Sequence, residues 1–288
     1  MAMGLARRAL ATPSSKKMGE NFRTPKKIVR RLRYLPQAMK KIRNWPVFMW
    51  HYALGLVPKN PYVFRNGARL AIHRGIDHVP IIEIFLDEEY GSVPDRSVVL
   101  DLGANIGVFT VYAVTSGPEV RVYAYEPWPE FGVLLLDNVR LNRKDEAVCF
   151  FDRAVASESG IRTLDLGGGS TFFFPTFIGA SELRSGSVQA RTITLEEIID
   201  SNQLSQVDFL KMDCEGAEYE ILYSTRSSYL QRIRQIRMEY HNIDEGERQV
   251  EALKRFLSGN GFVLRHQHAT SATNGTIWVE RREERAPR

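Results

Sequence analysis

Four carboxylates in this chain each close a short apolar run: Asp101 after Ser97–Leu100, Glu126 after Val120–Tyr125, Asp213 after Val207–Met212 and Glu239 after Ile233–Met238. Apolar runs of that length, separated by helical stretches, read as buried parallel strands. In sheets of that kind ligands bind beyond the carboxyl ends of the strands, so four acids are aimed at one rim. Lys211 stands two residues before Asp213, and His241 two residues after Glu239, so each pair shares a strand face. Acids and an imidazole gathered there suit proton removal from a hydroxyl. His241 has the ordinary pKa range of a general base near neutrality, and Glu239 is placed to orient it. Lys211 beside Asp213 would hold that carboxylate ionised.

The turn after the first run reads Asp101-Leu-Gly103-Ala104-Asn105-Ile-Gly107. Gly103 permits a tight turn and close approach of a ligand, and Gly107 permits close packing of the next helix. The spacing departs from the Gly-x-Gly-x-x-Gly of dinucleotide sites, which bring a pyrophosphate to a helix N-terminus. A carboxylate at Asp101 would repel that anion and would suit a cofactor with positive charge and no phosphate. S-adenosylmethionine, with an ammonium and a sulfonium, meets the requirement. Glu126, at the next strand end, can accept both ribose hydroxyl protons, a role acids hold in dinucleotide sites too. The plainer reading of the same residues is an unrelated switch point with acids at strand ends by chance.

Val99–Gly107 (Val-Leu-Asp-Leu-Gly-Ala-Asn-Ile-Gly), Tyr125-Glu126-Pro127, Phe209–Glu218 (Phe-Leu-Lys-Met-Asp-Cys-Glu-Gly-Ala-Glu) and Ile236–His241 (Ile-Arg-Met-Glu-Tyr-His) resemble the motifs of the FkbM family of S-adenosylmethionine-dependent methyltransferases. The Lys-x-Asp-x-Glu-Gly-Ala-Glu block is the most family-specific of them. The resemblance implies an α/β class I methyltransferase fold, Rossmann-like, with a mostly parallel seven-stranded sheet and an antiparallel C-terminal hairpin. It implies methyl transfer to a hydroxyl oxygen of a sugar, glycolipid or polyketide. It also places the turn after the third strand near the adenine, so Asp152 or Ala154 joins the cofactor candidates. Cys214 stands where that family usually has an aliphatic residue.

The expected cofactor set is therefore Asp101, Gly103, Ala104, Asn105, Gly107, Glu126, Asp152, Ala154, Asp213 and Glu215. The expected catalytic set is Asp213, His241, Glu239 and Lys211. Glu215 is either a site residue or an acid favoured by the dipole of the helix beginning there, and Glu218 reads as a helix-face residue. No metal is expected, although Asp213, Glu239 and His241 carry suitable donor atoms. Cys149 and Cys214 read as buried small hydrophobes.

These residues need a framework of alternating strands and helices. Beyond the four runs above, Ala147–Phe151 reads as a strand, and helices are expected over 80–90, 106–115 and 129–142 and from near Glu215. Asn66-Gly67, between β-prone runs over 62–76, predicts a hairpin with a type I′ turn. Asp244 with Glu247 predicts a capping box ahead of the helix bearing Val250, Leu253, Phe256 and Leu257. Phe262–Leu264 and Thr276–Glu280 predict the closing hairpin. Residues 167–187, with Phe172, Phe173, Phe174 and Phe177, form a long loop whose aromatics either wall an acceptor or fill the core, and Ser170 and Thr171 are candidate contacts.

The chain has 288 residues, 43% hydrophobic and 25% charged, ordinary for a globular protein. The net charge of +5 hides a split: residues 1–45 hold 13 Lys or Arg against one acid, Glu20, a net +12, and the rest is net −7. An acidic body argues against nucleic acid as the partner. No run is long enough to span a membrane. The expected organisation is a basic arm over 1–58, a hairpin and helix over 59–96, the methyltransferase domain over 97–280 and a charged tail over 281–288. In the arm, Ile28, Leu32, Leu35, Met39 and Ile42 recur at helical spacing, with Pro36 expected to kink or split the helix. That basic amphipathic stretch, residues 24–45, suits contact with an anionic membrane, a docking helix on the body, or organelle targeting. The expected location is cytoplasmic or peripheral to a membrane. Two rivals to a sugar or glycolipid methyltransferase stay open: a nucleic-acid methyltransferase gripping with the arm, and a membrane-tethered binding protein without transfer.

Overall fold

The computed structural model describes residues 31–165, 176–178 and 188–282. In chain order the strands among them are β1 (Tyr62–Val63), β2 (Arg69–Leu70), β3 (Val98–Leu102), β4 (Arg121–Tyr125), β5 (Val148–Phe151), β6 (Ala154–Val155), β7 (Gly160–Asp165), β8 (Thr176–Ile178), β9 (Val188–Ile193), β10 (Phe209–Met212), β11 (Gln235–His241), β12 (Phe262–Ala269) and β13 (Asn274–Arg281). Seven form the central sheet in the order β12-β13-β11-β10-β3-β4-β5. β11, β10, β3, β4 and β5 run parallel, and β13 and β12 close the edge antiparallel. This is the expected class I methyltransferase architecture.

Alternate strand residues feed two cores. Val99, Val122 and Phe209 pack on one face with Phe109, Val111 and Leu135, while Leu100, Leu210, Ile236 and Met238 pack on the other with Leu222 and Leu253. Both faces are covered, so the strands can be apolar throughout. Leu100 is fully buried, and truncating it to Ala costs about 2–5 kcal/mol. The parallel register sets Lys211 directly opposite Asp101, which brings the two charges to one place inside the sheet.

Several local expectations change. The β1–β2 link is not a type I′ turn. Gly67 alone takes positive φ (+96°), its N–H donates to Phe64 O, and Asn66 Oδ1 accepts from Ala68 N. That is a type I turn followed by a left-handed residue, the three-residue hairpin solution. Pro36 does not split a helix; it sits in the first turn of one, Leu35–Lys41, where its missing N–H costs nothing. The arm's stripe divides: Ile42 is buried and Leu35 half-buried, while Leu32 and Met39 are exposed, and Ile28 lies outside the described residues. A second helix, Trp45–Leu54, follows. The helix expected over 80–90 runs as a short α turn and a π turn and ends at Leu86.

Asp244 caps no helix. Its carboxylate accepts from Gly246 and Arg248 N–H and pairs with the Arg248 guanidinium, and the helix starts later, at Val250. Cys149 is exposed rather than buried. A second sheet runs in the order β6-β9-β7-β8, and its strand β8 falls within the stretch expected as a long loop. The side chains of Phe172, Phe173, Phe174 and Phe177, and Ser170 and Thr171, lie outside the described residues.

Candidate active site

The β3 turn is tied to its neighbours at every step. Gly103 and Ala104 N–H both donate to Tyr125 O, at 3.0 Å each. Gly103 has φ +76°, and a Cβ there would fall 1.8 Å from Asp213 O, so only glycine lets the β3 and β10 ends meet. At Gly107 a Cβ would lie 2.8 Å from Leu135 Cγ, which matches the expected close helix packing.

Beside this turn opens a cleft with a largely apolar wall and a few polar groups, the usual make-up of small-molecule sites. Gly103, Asn105, Glu126, Ala154, Asp213 and Glu215 line it, as the sequence expected, and Tyr125, Pro127, Arg153, Val155 and Cys214 join them. The Glu126 carboxylate is fixed at both oxygens: Oε2 accepts from Asn105 N–H and Oε1 from Trp128 N–H, each at 2.8 Å. Burial pushes its pKa up to about 7, against the pull of those two donors. Each oxygen keeps a lone pair for a hydroxyl, which suits the vicinal diol of a ribose.

Four expected cofactor residues do not line this cleft. Asp101 is fully buried beneath the turn, accepting from Thr110 Oγ1 at 2.6 Å and lying 3.2 Å from Lys211 Nζ. It therefore holds the turn's underside instead of facing a cationic ligand. Ala104 and Gly107 shape the backbone, and Asp152 is exposed outside the wall. Lys211 belongs more to Asp101 than to Asp213, whose Oδ2 is 3.9 Å away, and it also donates to Gly103 O at 2.8 Å. Burial by itself would lower the Lys211 pKa; Asp101 and Asp213 outweigh it and raise it.

The far end of the cleft is acidic. Beyond that lining, Glu239, His241 and Glu89 lie within electrostatic reach of Asp213 and Glu215. Burial and the Asp213 charge lift Glu239 to about 9 and Glu215 to about 8, and lift Glu89 to about 7. Tyr90 Oη donates to Asp213 Oδ2 at 3.4 Å. His241 lies 3.5 Å from Glu218, 3.6 Å from Glu215 and 3.8 Å from Glu239. Burial lowers its pKa, but Glu218, Glu239 and Glu215 raise it to about 9. That shift favours the protonated imidazole and works against His241 as a general base. Glu218 is not a helix-face residue either. It is fully buried, and its carboxylate accepts from Cys214 and Gly216 N–H, bracing the Cys214–Ala217 turn. Glu215 precedes the helix, with φ +52°, so it is free of a capping role. Among the described residues no group of three or more His, Cys, Asp or Glu is placed to hold a metal.

Tyr90 and Glu89 carried no signal in the sequence, because they lie outside the quoted motifs and reach the site only through the fold. Tyr125 sat in view beside Glu126, and Arg153 within the turn after β5.

A model of the methyltransferase FkbM domain matches residues 101–264, more than half of the chain. The chain belongs to the FkbM methyltransferase family. Among its relatives, 31-O-demethyl-FK506 methyltransferase FkbM of Streptomyces tacrolimicus is 29% identical over 229 residues, covering 69% of this chain and 87% of that one. Methyltransferase sdnD of Sordaria araneosa is 26% identical, covering 65% of this chain and 82% of that one. Hexuronic acid methyltransferase AglP of Haloferax volcanii is 26% identical, covering 56% and 61%. This FkbM-family protein is a methyltransferase that uses S-adenosylmethionine. The cleft fits that cofactor: Glu126 offers a fixed acceptor pair for the ribose, Ala154 and Val155 an apolar wall, and Asp213 a carboxylate at the open end for positive charge.

Proposed function

We propose that this protein methylates a hydroxyl oxygen of a sugar, glycolipid or related polyhydroxylated molecule. The observation that carries the reading is the acidic cluster beside the cleft, where the wall residues Asp213 and Glu215 lie within electrostatic reach of Glu239 and Glu89. Carboxyl groups lifted toward neutrality act as both donors and acceptors, which suits several hydroxyls presented together. Two relatives named for oxygen-bearing substrates, the 31-O-demethyl-FK506 and hexuronic acid methyltransferases, support the same class.

The bound cofactor supplies a methyl on a sulfonium. The chain's task is to hold the acceptor oxygen in line with that methyl and to take its proton. With the cofactor bound, its sulfur would keep the electron pair of the bond to the methyl, and the chain would have to pass the hydroxyl proton to a carboxylate. Asp213 is placed for this, steadied by Tyr90 on one side and Lys211 on the other. His241, whose protonated form the surrounding acids favour, offsets their charge.

A panel of sugars, uronic acids and glycolipids offered with methyl-labelled donor tests the reading. An alkali-stable methyl ether on at least one of them is the expected product. Label found only in alkali-labile esters, or only in nucleic acid, overturns it.

A further inference from the structure

The stretch Asn21–Ile76 holds no acid and 13 Lys or Arg. Within it the structure turns apolar side chains outward. Leu32 is 49% exposed, Met39 46%, Val47 43%, Trp50 64% and Val57 44%, which is most of the large hydrophobic exposure among the described residues. In the helix Trp45–Leu54, Phe48, Met49 and Tyr52 turn to the body, where Phe48 packs on Tyr62 and Tyr52 meets Tyr34. Val47 and Trp50, three residues apart, share the opposite face. Exposed cations fringe these positions: Lys40, Arg43 and Lys59, with no carboxylate at ion-pair distance among the described residues.

We infer that this N-terminal helical layer is a docking surface for an anionic lipid bilayer, with Trp50 and Val47 entering the headgroup boundary and Lys40, Arg43 and Lys59 meeting lipid phosphates and carboxylates. Charge complementarity selects the occupant. Cations alone would suit any polyanion, but a tryptophan and four aliphatic side chains set among them gain free energy only where hydrocarbon is within reach. The layer is also joined to the cleft. Lys41 Nζ bonds Leu86 O at 3.2 Å and Glu88 Oε1 at 2.7 Å, at the base of the segment that carries Glu89 and Tyr90 to Asp213. Docking would therefore present the acidic end of the cleft from a membrane-bound body. The inference stands whichever acceptor is methylated.

Full-length protein is mixed with phosphatidylcholine vesicles, with and without phosphatidylserine, at low and high salt. Binding to the anionic vesicles at low salt is expected, at least tenfold weaker in the double variant Val47→Glu/Trp50→Glu and in Lys40→Glu/Arg43→Glu. Binding of S-adenosylhomocysteine, unchanged in both, shows that the variants are folded. Brominated acyl chains should quench tryptophan fluorescence in the parent and lose that quenching in Trp50→Phe, which still binds. Equal vesicle binding by the parent and Val47→Glu/Trp50→Glu overturns the proposal. So does retention of RNA in preference to anionic vesicles at matched charge.

Discussion

Lys211 and Asp101 face each other across the β10–β3 ladder, 3.2 Å apart, with both side chains removed from solvent. Neither charge is affordable alone at that depth, and together they fix the underside of the turn that bears the cofactor cleft. Removing one partner from a buried pair costs about 3–5 kcal/mol, since the other is left uncompensated. Lys211→Met should lower unfolding stability by that amount in urea titration. The double variant Lys211→Met/Asp101→Asn should recover most of it. A stable single variant would show that the pair does not hold the turn.

Glu126 and Asp101, both acids at strand ends, should behave differently. Glu126 faces the cleft, and Glu126→Ala should weaken binding of S-adenosylhomocysteine by more than tenfold, the scale of hydrogen bonds to a charged group at about 1.5–3 kcal/mol. Asp101→Asn should lower stability first and affinity much less. Calorimetry beside thermal melts separates the two. Equal loss of affinity in both would return Asp101 to the cofactor surface.

Tyr90 aims Asp213 through one hydroxyl, and its ring lies edge-on to Phe109. Tyr90→Phe keeps the ring and removes the bond. Turnover on the true acceptor should fall roughly twofold to tenfold, from about 0.5–1.5 kcal/mol, with cofactor affinity unchanged. A parallel loss of cofactor binding would mean that Tyr90 supports the cleft generally.

The acidic cluster makes stability depend on pH. Glu215, Glu239 and His241 all have folded pKa values raised above their ordinary ones, 4.5 for the acids and 6.5 for the imidazole, to about 8, 9 and 9. The folded state thus binds more protons than the unfolded chain between those limits. Stability is fully present below the unfolded values and is lost as pH rises through 8 to 9. Melting temperature should decline from mildly acid to alkaline pH, and Glu215→Gln/Glu239→Gln should flatten the decline. A parent protein whose melting point rises over that range would contradict the cluster's charge assignment.

Gly103 tolerates no side chain. A Cβ at 1.8 Å from Asp213 O, on a backbone with φ +76°, forces β3 and β10 apart. Gly103→Ala should cost about 2 kcal/mol or more and abolish measurable cofactor binding. Calorimetry and a urea titration check both parts.

The sequence alone determined the succession of strands and helices along the chain, because buried parallel strands must be apolar runs and their ends must carry the polar groups. It thereby named Gly103, Asn105, Glu126, Asp213 and Glu215 for the cleft. What it left undecided was where each charge points. Asp101 and Glu126 are both acids at strand ends, but the register of β3 against β10 sets Asp101 inward on Lys211, while the Asn105 and Trp128 N–H groups hold Glu126 on the cleft wall. His241 sits at strand spacing from Glu239, yet its proton is set by Glu215 and Glu218, which arrive from a turn on another strand. Tyr90 and Trp50 belong to no periodic pattern that marks a site. Their roles come from packing the N-terminal layer onto the sheet, a long-range contact that local propensity does not encode.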